Sequence, residues 1–133
     1  MAGYTLTARS KQGYDDTVAR VRELLADAGF GVLTEIDLKA TLKAQLDVDV
    51  TPQVILGACR PQLAHQALAA DPSVAALLPC NVVVRADGEE SVVEAFDPQM
   101  MISMTDASDA VCQVAEDARE RLLGVMSRVE DGS

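Results

Sequence analysis

At 133 residues the chain has the length of one ordinary domain, enough to bury a real core without disulfides or a structural metal. Twenty-one acidic against eleven basic residues leave a formal charge of −10, a field that repels nucleic acid and anionic lipid and excludes both from the expected partners. Apolar residues make up 49% of the chain but only two Tyr and two Phe are aromatic, so the core must be built mainly from Val, Leu, Ile and Ala.

No stretch approaches the roughly 20 consecutive apolar residues that span a bilayer, so no membrane association is expected. Met1–Ser10 lacks a basic region followed by an apolar run, so no secretory leader is expected either. Cys59, Cys80 and Cys112 follow no framework spacing, and an odd count of this kind predicts a reduced, cytoplasmic setting.

Tyr4, Leu6 and Ala8 alternate with Thr5 and Thr7, a strand pattern. Ser10 is expected to cap a helix in which Tyr14, Val18, Val21 and Leu25 recur at helical spacing, with Gly29 as its stop. Phe30–Asp37 reads as a second strand with Phe30, Val32, Thr34 and Ile36 on one face, and Lys39–Leu46 as a short amphipathic helix carrying Leu42 and Leu46. Thr51–Cys59 resumes strand character, with Pro52 confined to its start. Pro61 suits the first turn of a helix running to about Ala70, which Asp71-Pro72-Ser73 breaks; a short helical turn through Leu78 then leads to Pro79.

Asp87-Gly88 between two apolar runs is a two-residue hairpin signal of the type I′ kind. Taken literally it sets Ala86 opposite Glu89, Val84 opposite Ser91, Val82 opposite Val93 and Cys80 opposite Ala95 on one nearly apolar face. Arg85 then meets Glu90 on the other, and a one-residue slip would scramble both faces. Asp97-Pro98 leaves the sheet for an irregular Met-rich stretch. Asp106 is expected to cap the last helix, whose stripe is Val111, Val114, Ala118, Leu122, Val125 and Val129, with Asp117–Arg121 paired at i, i+4.

This order predicts a single α+β domain over residues 1–133, ordered from about residue 4 to residue 129. It implies a single antiparallel (mixed) sheet with long helices packed on one face. The other face must be covered or tolerate solvent. Leu33, Ile55, Val83 and Val92 are placed there, so pairing of two subunits into a homodimer is expected to bury it.

A glycine-rich phosphate loop, paired CxxC, HExxH and GxSxG are all absent, and a single histidine excludes any multi-histidine metal site. Cys59 ends a strand two residues before Pro61. The amides of a helix N-terminus and the charge of Arg60 would lower its thiol pKa there, and alternation puts it on the face opposite Val54, Leu56 and Ala58. Cys80 falls on the apolar face of the hairpin as a packed thiol. His65 lies almost opposite the helical stripe Leu63, Ala67 and Ala70, which makes it solvent-facing or the wall of a cleft. Together Cys59, His65 and Cys80 would offer a metal three protein ligands, as in open zinc sites. Met100, Met101 and Met104 would suit a soft metal such as Cu(I), although thioethers more commonly fill irregular gaps.

The stretches GFGVLTEIDLKATLKAQL (Gly29–Leu46), ILGACRPQLAHQAL (Ile55–Leu68) and LLPCNVVV (Leu77–Val84), in that order, resemble the prokaryotic family catalogued as domain of unknown function 302. The resemblance runs from roughly Tyr4 to Val129. It implies a small α+β domain similar to the TATA-box-binding-protein-like fold class, without DNA binding, usually as a homodimer. It supplies no catalytic residue, and Arg60 stands where its pattern has a smaller polar residue before Pro61. The expected function is that of a cytoplasmic, dimeric ligand-binding or accessory module without catalysis of its own. Its small-molecule cleft would be formed by Cys59, His65, Cys80 and Asn81. The alternative is a thiol-redox or soft-metal (Zn or Cu) handling protein using Cys59 with His65 and Cys80; no cofactor is assigned.

Overall fold

A computed structural model describes residues 3–104 and 108–132. In chain order its elements are β1 (Thr5–Ser10), α1 (Tyr14–Asp27), β2 (Gly31–Asp37), α2 (Leu38–Leu46), β3 (Gln53–Cys59) and α3 (Pro61–Ala70). A 3-10 turn (Pro72–Leu77) follows, then β4 (Cys80–Asp87), β5 (Glu90–Phe96), α4 (Gln99–Met104) and α5 (Asp109–Asp131). The strands form one antiparallel sheet in the order β1-β5-β4-β3-β2. This is an α+β architecture, and α1 and α5 pack on one face of the sheet.

Alternation explains which side chains the helices cover. Leu6 and Ala8, Val54, Leu56 and Ala58, Val82 and Val84, and Val93 and Ala95 are all buried beneath Val21, Leu24 and Leu25 of α1 and Leu122, Val125 and Met126 of α5. A second core at one end joins Ala67 of α3, Val74, Met101 of α4, and Val111, Val114 and Ala115 of α5. The apolar stripe read along α5 is buried throughout, so this one helix closes both cores. Truncating a fully buried member such as Leu122 to Ala should cost about 2–5 kcal/mol.

Four local expectations are corrected. Ser10 does not cap α1: it is the buried last residue of β1, and its hydroxyl accepts from Thr17 Oγ1 at 3.0 Å and from the Gln12 amide at 3.1 Å. The cap position belongs to Gly13. In β2, Val32 pairs with Ala58 on the core side, but a bulge between Val32 and Thr34 sets Thr34 opposite Gly57 and Ile36 opposite Ile55. The extra residue reverses the alternation, so Thr34 and Ile36 leave the face that Phe30 and Val32 share. The Met-rich stretch is helical, and Met101 is fully packed in the second core. Asp106 lies outside the described residues; Ser108 caps α5, accepting from the Val111 amide at 3.3 Å.

The hairpin turns one residue later than expected. Asp87 pairs with Glu90, Val84 with Val93 and Val82 with Ala95, which leaves Gly88-Glu89 as the loop. Gly88 takes φ +63, a left-handed conformation that glycine adopts without strain. Each residue of β4 therefore meets a partner two positions further along β5 than expected, and a shift of two preserves both faces. Arg85 pairs with Glu94 rather than Glu90, while Arg9 bridges the adjacent acids Asp87 and Glu90 at 2.6 and 3.1 Å.

The face away from α1 and α5 is only partly open. Val92 is 8% exposed, flanked in register by Arg9 and Arg85. Ile55 and Val83 are half-buried, and Leu33 and Ile36 are exposed.

Candidate functional site

β3 delivers Cys59 to the edge of a cavity of about 30 Å³ between the sheet and the second core. Ala58, Cys80, Leu63, Met101 and Val114 also line it. Its walls are apolar and its volume is far below the several hundred Å³ of a metabolite pocket. Burial pushes the Cys59 thiol up from its ordinary value, the reverse of the lowering expected at a helix start. Cys80 is buried, and desolvation together with the nearness of Cys59 pushes it up to about 11. Neither sulfur is activated as a nucleophile.

Arg60 explains why its charge does not reach Cys59. Its Nη1 lies 2.6 Å from Asp117 Oδ2 on α5, and the same oxygen accepts from Arg121 Nε at 2.9 Å. Arg121 in turn donates from Nη1 to the carbonyl of Ala28 at the end of α1 (2.9 Å). The Arg60 side chain lies against Gly29, where a Cβ would come within 3.1 Å of Nε, and that Nε is buried without a partner. Two cations and one carboxylate thus tie α1, α3 and α5 together, and the guanidinium is committed to structure.

His65 is exposed on α3 and takes no part in the cavity lining, and Asn81 faces the opposite side of the sheet from Cys80. The expected cleft is thus divided. Cys59 and Cys80 share the apolar cavity, Asn81 belongs to a separate surface, and His65 to neither. Among the described residues no group of three or more His, Cys, Asp and Glu is arranged to hold a metal, and Met101 and Met104 are split between core and solvent. Nothing here favours thiol-redox or soft-metal chemistry.

Asn81 instead borders a groove of about 260 Å³ on the open face. Gln53, Arg85 and Glu94 supply further polar groups, Val83 is part of its apolar lining, and Tyr4 and Phe96 border it. Glu94 is held in place by Arg85 and by Thr5 Oγ1, which donates at 2.9 Å. Burial alone would raise its carboxyl, but the hydrogen bonds from Arg85, Thr5 and Thr7 outweigh that and keep it below the ordinary value of 4.5. Sequence reading missed Tyr4, Gln53, Arg85 and Glu94 as a group because they come from or adjoin four different strands. The available signal was alternation, which already put Asn81, Arg85 and Glu94 on one face of the hairpin.

A five-stranded antiparallel sheet backed by two long helices, with a shallow groove on its other side, defines an α+β protein. The chain belongs to the family described as Domain of unknown function DUF302, which matches residues 6–129. A crystal structure of an uncharacterized conserved DUF302 protein from Bacillus stearothermophilus is similar over 96% of this chain and 99% of its own, at 30% identity and a TM-score of 0.86. No curated protein matches.

Proposed function

We propose that this protein is a non-catalytic cytoplasmic binding module that works as a homodimer and takes a small polar molecule in the groove beside Asn81. The observation that carries the reading is the groove itself, a concavity of about 260 Å³ with amides from Asn81 and Gln53 beside apolar walls. Arg85 and Glu94 neutralise each other, so the groove favours an uncharged or singly charged ligand over a polyanion. That Cys59, Cys80 and Cys112 form no disulfide accords with a reduced compartment. The test is an amide-resolved NMR titration of the full chain with a panel of small carboxamides, carboxylates and nucleobases. At least one should perturb the side-chain amides of Asn81 and Gln53, and Asn81→Leu should abolish that response while the remaining spectrum stays folded. A panel that leaves both amides unmoved, or a response that survives Asn81→Leu, overturns the reading.

A further inference from the structure

The register of the strands beneath it gives the groove beside Asn81 a long axis. Asn81, Val83 and Arg85 are alternate residues of β4 on the face away from α1 and α5, and all three line the groove. Two residues of strand advance about 6.6 Å, so Asn81 and Arg85 stand about 13 Å apart with Val83 midway. Gln53 of β3 pairs with Arg85, and Glu94 of β5 pairs with Val83. The groove of about 260 Å³ is therefore a trough. It has an amide at one end, an aliphatic middle, and a guanidinium beside a second amide at the other end.

The polar groups differ in how far the protein already engages them. Glu94 accepts from Thr5 Oγ1 at 2.9 Å and from Thr7 Oγ1 at 3.4 Å and is ion-paired with Arg85, so its carboxylate is held from within. Arg85 reaches Glu94 through Nη2 and keeps 39% of its side chain exposed, while a guanidinium has five N–H donors in all. β3 lies on the side of β4 opposite to β5, so Gln53 flanks Arg85 on the side away from Glu94. The side-chain amides of Asn81 and Gln53 have no hydrogen-bond partner among the described residues. Donors are thus free at both ends of the trough.

We infer that the ligand of this groove is a short extended peptide of about three residues with a free carboxyl terminus, an assignment that rests on the groove being a ligand site at all. An extended chain advances about 3.3 Å per residue, so three residues cover about 10 Å and bring both ends within reach of the Arg85 and Asn81 side chains. The carboxylate takes the spare donors of Arg85 and the amide N–H of Gln53, a charge-assisted arrangement. A small apolar side chain lies over Val83. A peptide group meets Asn81, whose amide both donates and accepts as a peptide group does. One negative charge suits a guanidinium already half neutralised, whereas the −10 of the chain works against a ligand carrying several. β3, β4 and β5 are interior strands with their backbone groups paired, so recognition is by side chains and not by strand addition.

N-acetyl-trialanine, as the free acid and as its carboxamide, provides the test when titrated into the full chain beside N-acetyl-alanine under amide-resolved NMR. The free acid should move the side-chain amides of Asn81 and Gln53 together. It should bind at least about tenfold more tightly than its carboxamide or the single-residue acid. Gln53→Leu should weaken the free acid at least about threefold and leave the carboxamide unchanged. A free acid and carboxamide that bind alike, or a single residue that binds as well as three, overturns the inference, while a response at Asn81 still leaves the groove a ligand site. Silence toward all three peptides overturns it too. A response to a carboxamide or nucleobase would then keep the groove as a site of other chemistry, and silence there as well would remove both. A nonapeptide ending in three alanines separates the two sources of this chemistry. Affinity equal to that of the tripeptide assigns the groove to the tail of a protein and a lost response assigns it to free peptides, and either supports the inference.

Discussion

Arg60 Nη1 lies 2.6 Å from Asp117 Oδ2, joining the residue ahead of α3 to the middle of α5 across 57 positions of sequence. The Arg60 side chain is only 18% exposed. Asp117→Ala would leave that guanidinium largely desolvated with no counter-charge, and would leave Arg121 only its bond to the Ala28 carbonyl. The expected loss is about 2–3 kcal/mol, below the usual figure for a fully buried pair because Asp117 is partly in water. Urea denaturation checks it. Glu23→Ala, which removes a 3.5 Å surface pair with Arg20, should change stability by no more than about 0.5 kcal/mol in the same assay.

Gly57 is the most tightly enclosed of the glycines in the sheet. A Cβ added there would come within 2.2 Å of Thr34 Oγ1 and 2.8 Å of Pro79 Cγ. Gly57→Ala should therefore destabilise by about 1–3 kcal/mol. Adding Thr34→Ala should recover part of the loss but not all, since the contact with Pro79 remains. A double-mutant cycle by thermal or urea unfolding measures the recovery.

The three thiols should label in an order set by burial. Cys80, raised from 9.0 to about 11, has about a hundredfold less thiolate at neutral pH than an ordinary cysteine, and it is buried besides. Brief alkylation of the native protein near pH 7.5, read by peptide mass spectrometry, should modify Cys59 and Cys112 while leaving Cys80 intact. In denaturant all three should react alike.

Glu94 predicts part of the acid limb of stability. Its folded pKa is lower than its ordinary 4.5, so the unfolded chain takes up the proton first as pH falls. Its contribution is present above about pH 4.5 and is lost as pH drops through the folded value. Glu94→Gln should be less stable than the wild type at pH 7, and its stability should fall less steeply with pH below 4.5. Chemical denaturation at a series of pH values from neutral to 3 reads both.

Local signals were legible wherever a short stretch of chain determined the outcome. α3 begins at Pro61 and ends at Ala70 as read, because a proline at the first turn and the Asp-Pro break act on their immediate neighbours. The α5 stripe and both hairpin faces were equally plain. The turn itself moved to Gly88-Glu89, which sets Asp87 against Glu90, a like-charge pair that no local rule favours. Arg9, arriving from the far end of the chain, neutralises both. The site was harder for the same reason. Alternation separates Asn81 from Cys80 unaided, but that Asn81 shares a groove with Gln53 and Tyr4 follows from strand order, and that Arg60 points at Asp117 follows from helix packing.

The outermost strand β1 owes its place to the last parts of the chain. It pairs only with β5, lies under α5, and the amide of Arg9 donates to Glu130 Oε1 at 2.9 Å across 121 residues. β1 therefore has neither its neighbour nor its cover until β5 and α5, far along the chain, have been made. Seating β1 thus requires the closure of a very long loop, intrinsically slower than the formation of the helices.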